Sequence, residues 1–195
     1  MKKFIINLAL AFISTNSLGF EIFALGTSNT NCKGAGQAYT NTLNEMFSQE
    51  KIDAQVVNAG VDGDKPVFMM NRLGQGLKSY SNTKIVIFEP GPNEKNARFN
   101  LGPSEEILAY LHKINMPTIY VSHSLIQTNE EGQALATKYD AYYYGHWNKD
   151  VPTNSVNRQY DQPGSPGHMT IAGCQLWAKN MFPFVKQVIK TNNIQ

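Results

Sequence analysis

A three-layer α/β fold, with helices on both faces of a mainly parallel five-stranded sheet, is what the sequence predicts, on two observations. Short β-branched or aromatic runs alternate with longer segments of helical period, and turn-forming residues bound each run. Strands joined by helical crossovers pair in parallel, because a chain that returns over one face of a sheet re-enters it in the same direction. Strands are expected over Glu21–Leu25, Ala54–Asn58, Lys84–Glu89, Thr118–Ser122 and Ala141–Gly145.

Between the first two, Ala35, Ala38, Tyr39, Thr42, Leu43, Met46 and Phe47 recur at the spacing of one helix face. Ile107, Leu108, Leu111 and Ile114 repeat the pattern before the fourth strand, and Phe68-Met69-Met70 reads as helix packing before the third. A last helix is expected from about Thr170 to Ile189, with Pro183 inside it to kink it or split it in two. The longest irregular stretch, Trp147 to Gly167, holds Pro152, Pro163, Gly164, Pro166 and Gly167. A loop of that length inside a compact domain tends to be functional or mobile.

At 195 residues, 42% hydrophobic and 16% charged, the chain suits one domain with a full core. Seventeen Lys+Arg against 15 Asp+Glu, with no basic run longer than a pair, excludes the electrostatic footprint of a nucleic-acid binder. Cys32 and Cys174 are too few for a zinc ribbon or a disulfide scaffold. His112 and His123 have no partner at ligand spacing, so no metal is expected.

The N-terminus reads Met1-Lys2-Lys3, an apolar run from Phe4 to Ile13, a polar stretch from Ser14 to Ser17, and small Gly19 before Phe20. That is the pattern of an export signal occupying residues 1–19, which leaves a domain over residues 20–195. The run falls short of the roughly 20 apolar residues that span a bilayer, so a periplasmic or secreted protein without a membrane span is expected. A buried first helix or a retained anchor is the other reading. Cleavage would remove two of the 17 basic residues and none of the acids, leaving a formally neutral chain. An oxidising compartment permits a Cys32–Cys174 disulfide, and two buried thiols stay equally open.

In a parallel sheet, function gathers in the loops at the C-terminal strand ends. The first such loop, Leu25-Gly26-Thr27-Ser28-Asn29-Thr30, puts Ser28 where a helix N-terminus favours an anion, although on local evidence alone Ser28 reads better as a helix cap or turn residue. The second, Val57-Asn58-Ala59-Gly60-Val61-Asp62-Gly63-Asp64, offers Gly63, whose missing side chain lets a backbone N–H approach a ligand. The third, Gly91-Pro92-Asn93-Glu94, offers the Asn93 amide as a donor to a developing oxyanion, and Glu89 and Glu94 beside it are not read as a carboxylate pair. Before the last helix, His168 is a candidate general base. Each residue has a bland local reading as a cap, a turn or a structural histidine; their order along successive loops joins them.

That order resembles the SGNH hydrolases, also called the GDSL esterase/lipase family, whose sequence blocks supply a nucleophilic Ser, an oxyanion-hole Gly, an oxyanion-hole Asn and a base His. The second block is similar to that of small bacterial periplasmic thioesterase/lysophospholipases. The resemblance implies a flavodoxin-like sandwich and a serine esterase acting on carboxylic esters or thioesters of small molecules or lipids, without a cofactor. It implies Ser28 and His168 as catalytic residues, with the oxyanion held by the Ser28 and Gly63 N–H groups and the Asn93 side chain. Two departures stand out. Thr27 replaces the aspartate before the nucleophile, and Ser165, in Ser165-Pro166-Gly167-His168, stands where the family has its triad acid. Asp161 in the same loop is the candidate stand-in. A relative without that acid would bind a lipid or glycan in the same cleft; a sugar or peptidoglycan O-deacetylase would set the aromatic segment Tyr142–Trp147 against sugar rings.

Overall fold

The first strand, β1 (Phe20–Gly26), buries every residue except Glu21, and its side chains go alternately to two cores. Ile22 and Ala24 join one apolar cluster, Phe23 and Leu25 the other. A continuous apolar run with alternating destinations is a strand covered on both faces. The computed structural model describes residues 19–96, 98 and 100–195, so residues 1–18 of the expected leader lie outside it.

β2 (Ala54–Gly60), β3 (Thr83–Phe88), β4 (Thr118–Ser122) and β5 (Tyr142–His146) complete a five-stranded sheet of order β2-β1-β3-β4-β5. Every neighbouring pair is parallel. The helices are α1 (Ser28–Asn31), α2 (Ala38–Gln49), α3 (Pro66–Ser79), α4 (Gly102–Lys113), α5 (Asn129–Lys138) and α6 (Ile171–Thr191). On one face α2 and α6 pack together, Tyr39 stacking on Trp177 at 3.9 Å between ring centroids and Phe47 meeting Phe182 edge-on at 5.0 Å. Met69 and Leu73 of α3, Ile107, Leu108 and Leu111 of α4 and Ala136 of α5 fill the other face. The chain leaves β1 toward β2 and then crosses back to β3 on the opposite side, so the C-terminal ends of β1 and β3 flank the crevice where such sheets bind ligands.

Cys32 and Cys174 form a disulfide, with 6.3 Å between their Cα atoms, that ties the end of α1 to α6. The helix expected from Ala35 starts only at Ala38, because Cys32, Gly34, Gly36 and Gln37 take left-handed backbone conformations that a right-handed helix cannot contain. Helix α6 runs unbroken through Pro183. Pro183 and Lys179, whose carbonyl loses its intrahelical donor, both lie on the exposed face of the helix. Phe68 points to solvent while its neighbour Met69 enters the core. Helix α5 carries no apolar stripe, since only Gly132 and Ala136 are buried; its sequence mark is the Thr128/Glu131 capping box. Among the described residues, no helix is long and apolar enough to cross a membrane.

Candidate active site

Thr27 follows β1 in an extended conformation and Ser28 opens α1, so the chain turns sharply at the sheet edge. The turn is anchored from the neighbouring strand. Glu89, directly after β3 and fully buried, accepts hydrogen bonds from the Thr27 N–H (3.0 Å), the Thr27 hydroxyl (2.7 Å), the Asn29 amide (3.1 Å) and the Thr30 hydroxyl (3.3 Å). Burial pushes the Glu89 carboxyl above the ordinary carboxylate range, against the opposing pull of the bonds from Thr27, Asn29 and Thr30. This side chain therefore fixes the loop that carries Ser28.

Gly63 sits at φ +73°, with open space where a Cβ would stand. The backbone N–H groups of Ser28 and Gly63 donate to no acceptor among the described residues. The Asn93 amide gives one N–H to the Asp64 carbonyl at 3.0 Å, which leaves its second. Arg72 holds this corner together: it pairs with the Asp64 carboxylate and donates to the carbonyls of Ala59 (2.6 Å) and Gly26 (3.2 Å), joining the ends of β2 and β1. No local signal in the sequence marks Arg72 or Glu89 for these tasks; both depend on which strands lie side by side.

The long stretch after β5 contains a hairpin. Arg158 pairs with Met169 and Gln162 with Ser165 in antiparallel fashion, and the Gln159 N–H donates to the His168 carbonyl at 2.9 Å. At its tip, Gln162-Pro163-Gly164-Ser165 closes with a 3.1 Å bond from the Ser165 N–H to the Gln162 carbonyl, Gly164 taking φ +72°. Proline at the second position and a positive-φ glycine at the third are the residues of a type II turn.

This hairpin brings Asp161 and His168 to one side. His168 Nδ1 lies 2.8 Å from Asp161 Oδ2, and the His168 backbone N–H donates to Asp161 Oδ1 at 3.0 Å. The other ring nitrogen, Nε2, lies 2.9 Å from the Ser28 hydroxyl. Partial burial pushes the Asp161 carboxyl up, but the bonds from the His168 ring and backbone outweigh it and hold the group below the ordinary range. Ser165 takes a different part, accepting from the Gly167 N–H at 3.2 Å. Gly167 is itself required twice, by its φ of +70° and because a Cβ there would lie 2.0 Å from Asp161 Oδ1.

Ser28, Gly63, Asn93 and His168 all line one cavity of about 580 Å³. Its far wall includes Trp147, whose ring is engaged by His123 (centroids 5.7 Å apart) and by the Arg158 guanidinium (4.6 Å). Of the aromatic segment, Tyr142, Tyr143 and Tyr144 pack elsewhere: Tyr143 bonds Ser122 and Asn129, and Tyr144 lies against Phe184. Chemically, the cavity presents a hydroxyl aligned on an imidazole, an imidazole held by a carboxylate, and N–H donors without acceptors among the described residues.

No family model matches the chain, and no curated protein matches its sequence. Solved structures do match. The psychrotrophic esterase EstA from Pseudoalteromonas sp. is similar over 87% of this chain and 98% of its own, with a TM-score of 0.74 at 16% identity. AlinE4, an SGNH-hydrolase family esterase, is similar over 88% of this chain and 97% of its own, with a TM-score of 0.63 at 21% identity. The acetyl xylan esterase AlAXEase is similar over 85% of this chain and all of its own, with a TM-score of 0.65 at 16% identity. The parallel five-stranded sandwich of this chain is thus the fold of the SGNH-hydrolase esterases.

Proposed function

We propose that the chain is a serine hydrolase of the SGNH family that cleaves carboxylic esters or thioesters through an acyl-enzyme. One observation carries the reading: a continuous hydrogen-bonded line from Ser28 to His168 to Asp161, opening beside unpartnered N–H groups. His168 Nε2 takes the Ser28 proton as Oγ attacks the acyl carbonyl, and Asp161 keeps the other ring nitrogen protonated and stabilises the imidazolium. Negative charge on the carbonyl oxygen falls to the Ser28 and Gly63 N–H groups and the free Asn93 N–H. His168 then returns its proton to the departing alcohol or thiol. Water, deprotonated by the same imidazole, releases the acid and regenerates Ser28.

Ser165 at the family's acid position favours an inactive binding relative, whereas Asp161, reaching the imidazole from seven residues upstream, supports the active enzyme. The substrate on this reading is a small-molecule or lipid acyl ester, and no step calls for a metal or organic cofactor. Residues 1–19 are proposed as an export signal that delivers the protein to the periplasm or beyond the cell. The Cys32–Cys174 disulfide supports that destination, because such bonds persist in oxidising compartments.

The test is hydrolysis of a p-nitrophenyl ester series, acetate to palmitate, by wild type and Ser28→Ala. Turnover that falls by about 10⁶ in the variant is the expected result. Equal rates in the two proteins would sink the reading, and the chain-length profile would separate deacetylation from cleavage of long-chain esters.

A further inference from the structure

Arg158 is a charged side chain that the proposed chemistry does not use, and it lines the same cavity as Ser28 and His168. It is 3% exposed. Among the described residues no carboxylate lies within ion-pair distance of it, its Nε has no hydrogen-bond partner, and Nη1 makes one long bond, 3.5 Å, to the Gly167 carbonyl. What it does have is the Trp147 ring, over which it stacks. A buried guanidinium without a counter-charge is costly, and its fork geometry suits pairing with a carboxylate or phosphate.

The surroundings point the same way. Lys33 also lines the cavity, and among the described residues no Asp or Glu does. His123, stacked on the same tryptophan, is kept neutral by burial, with the nearby His146 and Arg158 adding to the effect, its pKa falling to about 4. Arg158 and Lys33 are the basic side chains other than histidine on the cavity wall.

Resting on the hydrolase reading above, we propose that the substrate is an acyl ester carrying an anionic group, a carboxylate or phosphate, which Arg158 receives. The planar fork of the guanidinium matches either group with paired N–H donors, and the Trp147 face holds the fork in place.

The experiment compares kcat/KM within two matched pairs. In one the anion is on the alcohol half, p-butanoyloxybenzoate against p-butanoyloxybenzamide. In the other it is on the acid half, p-nitrophenyl hemisuccinate against p-nitrophenyl butyrate. A wild-type preference of about tenfold or more for an anionic member is expected. Arg158→Gln should bring the ratio near unity, and Arg158→Lys should restore part of it. The pair that shows the preference tells which half of the ester faces Arg158. A wild-type ratio near one in both pairs, or a preference that survives Arg158→Gln, overturns the proposal while leaving the hydrolase intact. If Arg158→Gln does not fold, competition decides in the wild type: benzoate or phenyl phosphate must inhibit at least tenfold more tightly than benzamide, and equal inhibition overturns the proposal. If the wild type cleaves none of the four esters, calorimetry on Ser28→Ala separates the two ideas. Tighter binding of p-butanoyloxybenzoate than of its amide then supports the Arg158 site and defeats the hydrolase; equal binding defeats both.

Discussion

The two halves of the Ser28–His168–Asp161 line are held in opposite ways. Ser28 stands on a buried turn between β1 and α1, fixed by four hydrogen bonds into the fully buried Glu89 carboxylate and backed by the disulfide at Cys32. His168 and Asp161 stand on a part-exposed hairpin, held by a few backbone bonds and by glycines at positive φ. Their carboxylates differ in the same sense. Glu89 is pushed up by burial, whereas Asp161 is held down by its bonds to His168. The Ser28 loop therefore draws its precision from the core, and His168 draws its precision from the hairpin's own geometry.

The strongest way to break the hairpin side is Asp161→Asn. The amide cannot stabilise the imidazolium and can face its NH₂ toward Nδ1, which favours the wrong tautomer, so kcat should fall by about 10³–10⁴ with the fold unchanged. Steady-state rates beside a circular dichroism melt check it. A loss under tenfold would mean that His168 works as a dyad with Ser28 and that the 2.8 Å contact is incidental.

On the core side the equivalent cut is Glu89→Ala, and its effect should appear in stability before activity. It strips acceptors from the buried Thr27 N–H, two hydroxyls and the Asn29 amide, and leaves a cavity, at a cost of about 3–5 kcal/mol in urea unfolding. The pH dependence gives a second handle. A carboxyl whose folded pKa is raised binds its proton more tightly in the native state. Its contribution is therefore fully present below the unfolded value of about 4.3 and is lost as pH rises through the folded one. Asp161 has the opposite sign: its contribution is present above the unfolded value of about 3.9 and is lost as pH falls through the lowered folded one. Raising the pH from 4 to 7 should therefore cost the wild type stability relative to Glu89→Gln; an unchanged difference between the two proteins would show that the folded state does not raise the Glu89 pKa.

How much of this was legible beforehand follows the same division. Ser28, Gly63, Asn93 and His168 sit after strand ends or just before a helix, where residue type and order, together with the family resemblance, mark them as candidates. The sheet itself was legible because each strand reads as an apolar run between turn residues, and boundaries moved by only a residue or two, as where β3 ends at Phe88 with Glu89 just beyond. Glu89 and Arg72 were not legible, because their partners come from neighbouring strands and the order β2-β1-β3 is a property of topology. Asp161 could be placed only as an acid in the same loop; its reach to His168 depends on a hairpin register set by the Pro163-Gly164 turn and by Gly167.

The smallest change that should still separate the two halves is one methyl group. Gly167→Ala asks alanine to adopt φ +70°, at about 1–2 kcal/mol, and puts its Cβ 2.0 Å from Asp161 Oδ1, so the carboxylate or the turn must shift. A displacement of that order in a residue that orients a base costs roughly ten- to a hundredfold in kcat. Nothing in the Ser28 turn is touched. If the loss comes through Asp161, it will vanish in the Asp161→Asn background, and the double variant will be no slower than Asp161→Asn alone. Additive losses would instead mean that Gly167 acts through the backbone of His168, and that the hairpin places the imidazole without help from the acid.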